Sequence, residues 1–389
     1  MYYCNSILAM QNYLKKMKNL LFVVLIIIKS FSCFSQAKNL SDYRLFSNID
    51  DALLAKDSVV RLILSNQKLE NNLQHLSEFT NLRELQLISC PFYVFPDELL
   101  QLSKIEKLVI NLNPKMQIDT LFNRLQVFSS LKVLDLSSNK ITKIPDNIYK
   151  LSNLEFLNLR NNLITDFPLC IVENTCLENI DLSHNLLNEF PFGICDCYFL
   201  RKINLENNKI KEIPFEIKKL QKLECLILSK NLLSELSFSI CYLSNLKQLS
   251  MSENRITKIS SSVSSLINLE ELFLRHNKIS YLPETIGGLI SLKKLNLSQN
   301  KLTFLPNSIV EITTLNKLTL WGNELKFLPE AIGNLVNLTE LTIYDNQLSV
   351  LPKSILNMNK LQTLLLSRNN ISLETELWLK RNLPFTVID

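Results

Sequence analysis

The sequence predicts an α/β solenoid: a curved, right-handed horseshoe of short units, with a parallel sheet on its concave side and a cap at each end. Three observations predict it. Asparagine recurs with a constant step of 23 residues, at Asn139, Asn162, Asn185, Asn208, Asn231, Asn254, Asn277, Asn300, Asn323, Asn346 and Asn369. Apolar residues keep the same register, with Leu, Ile or Met in the two slots before each Asn, as in Leu295 and Leu297, and Ile or Leu two after it, as in Leu302. Finally, no Pro/Gly/Ser linker or charge block divides the 389 residues, although the length alone would suit two or three ordinary domains.

Taken in chain order, residues 15–37 read KKMKNLLFVVLIIIKSFSCFSQA. Lys15, Lys16 and Lys18 form a positive start, Leu20–Ile28 an apolar run, and small and polar residues follow, which is the outline of a signal peptide over residues 1–36. Nine apolar residues make about 13 Å of helix, too short for a hydrocarbon core of about 30 Å. Met17 is an alternative start, and Cys33 is the residue a lipoprotein reading would acylate. The chain is therefore expected to be secreted or held at the cell surface, with no membrane span after cleavage. Formal charge is +5, of which four charges (Lys15, Lys16, Lys18, Lys29) precede residue 37, where there are no acids. A cleaved chain would carry +1, which gives no general drive toward nucleic acid or anionic lipid.

Residues 37–58 are expected to form an N-terminal cap. Within them SNIDDALLAKD (47–57) reads as an amphipathic helix capped by Ser47 or Asn48, with Leu53 and Leu54 covering the first repeat. Residues 59–372 then hold about fourteen units. The early ones are weaker: Asn113 closes LVINLN, while Cys90 and Gln67 stand in the Asn slot. The step from Asn113 to Asn139 is 26, so three residues are inserted near 114–120. Residues 373–389 read as a C-terminal cap, a helix over 374–384 with Leu377, Trp378 and Leu383 turned inward and a last strand at 385–388.

The physics of one unit follows from its spacing. L-x-L alternation gives a short strand with two leucines on one face. The Asn side chain has a donor and an acceptor, so it can satisfy backbone groups of adjacent turns. Proline follows six residues later in eight units, Pro145, Pro168, Pro191, Pro214, Pro283, Pro306, Pro329 and Pro352, and sets an extended return path. Apolar residues nine, twelve and fifteen after the Asn fill the interior from the convex side. No unit buries its own leucines, so stability is a sum over neighbours.

These motifs resemble the leucine-rich repeat family, in its 23-residue class with an LPxxI segment, found in Ras-group scaffolds and secreted bacterial proteins. The resemblance covers residues 59–372. It implies a horseshoe that binds proteins or peptides without catalysis or cofactor. Two further readings stand beside it: an adhesive surface protein that binds glycan or matrix, and an intracellular Ras-group-type scaffold if the N-terminus is not a signal.

No catalytic constellation is legible. His184 and His276 share a column four units apart, about 20 Å at 4.8 Å per strand, too far to share a metal. Cys170, Cys176, Cys195 and Cys197 fall in two consecutive units, where export would allow one disulfide among them; their spacing matches no metal site.

The concave face is the expected binding surface. Its side chains lie six, four and two positions before each Asn, with the residue just before the Asn at the rim. Most of those four and two positions before the Asn are Ser, Asn or Asp. Phe273, Arg275, Trp321 and Tyr344 depart from that background, with Glu271, Lys317 and Glu340 near them. Aromatics and Arg dominate interface energetics, and charges suit a rim. A weaker patch holds Phe156, Arg160 and His184. Aromatics also pack well across strands, so Trp321 and Tyr344, one unit apart in one column, are open to both roles.

Overall fold

The structure, a computed structural model, describes residues 40–69, 73–173 and 176–389. The expected signal segment, residues 1–36, lies outside them. Two compact units divide the chain, Met1–Leu45 and Phe46–Asp389. Of the first, the described part holds a 3-10 turn at Leu40–Asp42.

The second unit is built on a long parallel sheet with its strands in chain order. From Arg61–Ser65 to Val387–Ile388 each strand pairs with the next repeat's strand. The register is constant: Leu272, Leu295, Leu318, Leu341 and Leu364 stand opposite one another across five strands. A one-residue slip would turn each of these leucines out of the core, and that is why the register holds. All five are at most 1% exposed.

Most return segments open on a 3-10 turn, such as Asp146–Lys150, Phe215–Lys219 and Glu284–Gly288. The expected prolines sit just before these turns with φ between −60° and −73° and an extended ψ in most units. The Pro carbonyl then accepts the N–H three residues on, as Pro214 does from Ile217 at 3.2 Å. Proline thus starts a tight turn as well as ending the extended segment. Ile148, Leu151 and Leu154 point in from this side and are at most 4% exposed. The three-residue insertion gives its unit a full helix, Ile118–Leu125, which buries Leu121, Phe122 and Leu125.

At the two ends the structure departs from expectation. The first helix is Ile49–Leu53, capped by Asn48, whose side chain accepts from the Asp51 N–H at 2.7 Å. Leu53 packs partly on the core, but Leu54 is 89% exposed. The helix has little more than one turn, so Ile49 and Ala52 form its buried face and Leu54 falls past its end. The last helix is Leu373–Asn382, capped by Ser372. Trp378 packs partly on the core and Leu383 is buried, but Leu377 is 55% exposed and Leu379 takes the inward place. Leu379 and Leu383 are four apart, one face of the helix; Leu377 lies half a turn off it. The last strand, Val387–Ile388, pairs with Thr363–Leu364.

Candidate functional site

Each strand ends in a left-handed residue. The residue just before the Asn has φ of 53° to 62° at Ser138, Asn161, His184, Asn207, Lys230, Glu253, His276, Gln299, Asp345 and Arg368, and 66° at Gly322. This twist swings the Asn inward. Asn208 shows what it does there: its Nδ2 donates to Leu182 O (3.0 Å) and Leu205 O (3.1 Å), and its Oδ1 accepts from Leu187 N at 3.0 Å. The same set recurs at Asn162, Asn185, Asn231, Asn254, Asn277, Asn300, Asn323, Asn346 and, more exposed, Asn369. Asn139 also bonds Leu136 O and Ile110 O. Cys90, in the same slot, substitutes with its thiol, which donates to Leu64 O at 3.3 Å. The ladder holds the turns in place and so aims the strand residues before it.

That phase puts the residue two before each Asn on the concave side. Trp321 and Tyr344 stack there with ring centroids 5.2 Å apart and planes 7° from parallel. The Arg275 guanidinium lies 5.2 Å from the Trp321 ring centre, reaching past Ser298, and its Nε donates to Gln299 Oε1 at 2.9 Å. Arg275, Trp321 and Tyr344 therefore form one group, with Arg275 exposed and both rings half-buried. Gly322 lets the chain turn left-handed beside the indole; a Cβ there would meet Gln299 Cγ at 3.3 Å. Phe273 is half-buried in the neighbouring column, in register with Asn296.

The charged residues expected at the rim pair with one another along the strand starts. Glu271 bonds Lys294 at 2.8 Å, and Lys317 bonds Glu340 at 2.7 Å. One position earlier an alternating ladder runs along the edge: Arg83–Glu106, Lys132–Glu155, Arg201–Glu224, Lys247–Glu224 and Lys293–Glu270. Opposite charges 23 residues apart would have revealed it in the sequence.

Glu84 was not singled out by sequence reasoning and is the most unusual charge on this face. It is 1% exposed, between Arg61 (2.6 Å) and Lys107 (2.8 Å), and accepts from Gln86 at 2.6 Å. Burial by itself would push its carboxyl up. The hydrogen bonds from Lys107, Arg61 and Gln86 outweigh burial and hold it below its ordinary value.

The weaker patch is held differently. Arg160 bonds Ser183 Oγ at 3.2 Å, and His184 Nδ1 lies 2.9 Å from Asn207 Nδ2. Phe156 is half-buried in register with Val133 and Asn179.

Of the four cysteines among which a disulfide was expected, Cys195 and Cys197 take no part in one. Cys195 and Cys197 are buried free thiols, and Cys170 donates its thiol to Asp146 O at 2.8 Å, while Cys176 is half-buried. Burial foremost, with the nearby Asp196, pushes both buried thiols up to about 12. They behave as small apolar core residues.

With this geometry in hand, known proteins place the chain. Two family models match, "Leucine rich repeat" over residues 129–187 and "Leucine-rich repeat region" over residues 259–344. A leucine-rich repeat protein of Leptospira interrogans superposes with a TM-score of 0.76 at 29% identity, over 89% of this chain and 99% of its own. An internalin of Listeria monocytogenes superposes at 0.63 with 22% identity, over 86% and 88% of the two chains. A TLR13–ssRNA13 complex superposes at 0.67 with 24% identity, over 87% of this chain and 55% of that one. No curated protein matches the sequence. The chain carries leucine-rich repeats over the matched residues and has the fold of the leucine-rich repeat proteins. Among the described residues no helix is long and apolar enough to cross a membrane.

Proposed function

We propose that this protein is an exported binding module that takes a protein or peptide ligand on its concave sheet. The observation that carries the reading is the stacked pair Trp321–Tyr344 with the exposed Arg275 beside it, in a column whose other members are mostly serine. Stacking on each other orders the two rings before a ligand arrives, so binding loses less side-chain freedom than it would with separate rings. Phe273 extends the apolar contact. Glu271, Lys317 and Glu340, held in pairs with lysine or glutamate neighbours, supply a polar border of no net sign. Such a border favours a ligand recognised by shape and apolar anchors over a polyanion such as RNA. Phe156, Arg160 and His184 form a second contact region for a long ligand. Residues 1–36 act as the export signal, consistent with the positive start and short apolar run.

A binding panel tests this. The purified chain from Ala37 onward, presented with peptides, oligosaccharides and single-stranded RNA, is expected to retain peptides. Retention of oligosaccharide alone would favour the adhesive reading. Recovery of a chain from culture medium still carrying residues 20–30 would remove the signal-peptide part.

A further inference from the structure

The surface that follows the Asn turn changes character along the chain. Four consecutive units read DFPL (166–169), EFPF (189–192), EIPF (212–215) and ELSF (235–238). Each begins with an acid, four residues after its Asn, and ends with a large apolar residue, seven after it. The units on either side break both columns, KIPD at 143–146 and KISS at 258–261. Later units replace the acid altogether, as in YLPE, FLPN and FLPE. Acid row and apolar row therefore begin and end together.

The fold brings the four copies side by side. Backbone bonds from Leu186 N to Ile164 O, Lys209 N to Leu187 O and Leu232 N to Ile210 O keep these segments one repeat apart in register. Asp166, Glu189, Glu212 and Glu235 are exposed in one row. Leu169, Phe192, Phe215 and Phe238 form the second row and are 43% to 65% exposed. Phe215 meets Phe238 at 5.6 Å and Tyr242 at 6.1 Å between ring centres, so the ridge is continuous there. Gly193 lets the Phe192 turn lie directly on the previous one; a Cβ would come within 2.9 Å of Leu169 Cα. Between the rows runs a groove. One stretch of about 830 Å³ is lined by Asp166, Pro168, Leu169, Glu189, Pro191 and Phe192, and the next, of about 490 Å³, by Glu212 and Pro214.

We propose that this flank, separate from the concave sheet, is a second docking site, and that its occupant is a basic amphipathic helix of a partner protein. Charge complementarity selects a cation-bearing ligand: four carboxylates line one side of an apolar ridge and repel nucleic acid and anionic lipid alike. The nearby cations do not cancel them. Lys219 is engaged with Asp196 at 2.7 Å, and Lys218 lies over the Phe215 ring at 3.6 Å, which shows that this ring face takes a cation. Lys143 lines the first stretch of the groove and Lys211 lies beside Glu212; both are exposed, two cations against the four acids. Repeat geometry selects a helix. The rows advance about 4.8 Å per unit, close to the helical pitch of about 5.4 Å and shorter than the roughly 6.6 Å between same-face residues of a strand. About ten helical residues span the four units, with Lys or Arg on each turn facing the acids and Leu or Phe facing the ridge.

A designed helical peptide with Lys along one side and Leu along the adjoining side is the probe, titrated at physiological salt against the folded chain. Wild type is expected to bind it. The triple variant Glu189→Lys/Glu212→Lys/Glu235→Lys should lose affinity by roughly tenfold or more and gain affinity for the mirror peptide with Glu in place of Lys. Phe192→Ser/Phe215→Ser, both exposed and so compatible with folding, should lose a similar factor. Trp321→Ala/Tyr344→Ala should bind as wild type does, which separates this site from the concave one. The proposal fails if wild type ignores the Lys–Leu peptide, if charge reversal leaves its affinity unchanged, or if a Lys–Ser peptide binds as tightly.

Discussion

Asn231 satisfies three backbone groups at short range: its Nδ2 donates to Leu205 O and Leu228 O and its Oδ1 accepts from Ile210 N, each at 2.9–3.0 Å. Alanine there would leave buried carbonyls and an amide without partners, at about 1 kcal/mol or more apiece. Asn231→Ala should therefore destabilise the chain by about 3 kcal/mol in urea unfolding. A loss below 1 kcal/mol would mean that the ladder is dispensable. The buried thiols give a pH signature of their own. Cys195 ionises near 9.0 when unfolded and stays protonated up to about 12 when folded, because burial foremost, then Asp196 and Glu216, disfavours the thiolate. Its contribution is complete below pH 9 and is lost as pH rises from there toward 12. Cys195→Ala should lower stability at pH 8 but flatten its decline up to pH 11; parallel declines would contradict the assignment.

Strands and turns carry the next level of the account. Glu84 ties the first three strands of the repeat array through Arg61 and Lys107. Because its folded carboxyl is held below the ordinary 4.5, the stability it supplies is present above that value and lost as pH falls below it. Glu84→Gln keeps the shape but leaves two cations without their charge partner, and should cost about 3 kcal/mol at pH 7. The mutant and wild-type unfolding midpoints should converge toward pH 3. A constant gap would show that the loss is steric. The charge ladder along the strand starts is exposed, so single substitutions in it, such as Lys247→Gln, should change stability by less than about 1 kcal/mol. Sequence alone reached the strands, turns and core columns because each is written many times over, and a column of eleven copies averages out local exceptions. The end helices are written once. Leu54 and Leu377 were misplaced because helices of one to three turns allow several faces, and only contact with the neighbouring repeat selects one.

For the repeat array as a whole, the same argument explains what was legible of the binding face. Period and phase put Trp321 outside the core without any structure, since Leu318, Leu320 and Leu325 occupy the inward slots and are fully buried. The direction of its neighbours was not legible. Arg275 reaches it across an intervening strand, a contact between residues 46 apart that depends on side-chain rotamers. The left-handed turn residues were also missed, because eight kinds of side chain adopt that conformation at ten positions and only Gly322 carries a glycine's mark. The block of acid and apolar columns at 166–238 was visible as text, but its meaning needed the register that stacks the copies. Nearest-neighbour stability leaves exposed positions such as these free to vary unit by unit, and that freedom is what lets one scaffold carry two different surfaces.

The central claim, ligand contact at the Trp321–Tyr344 stack, is tested most directly by the double variant Trp321→Ala/Tyr344→Ala, titrated against a peptide retained by the wild-type chain and melted in parallel. The account predicts an affinity loss of roughly tenfold or more with a melting temperature within a few degrees of wild type. Retained affinity together with a large fall in melting temperature would contradict it and leave the two rings as strand packing.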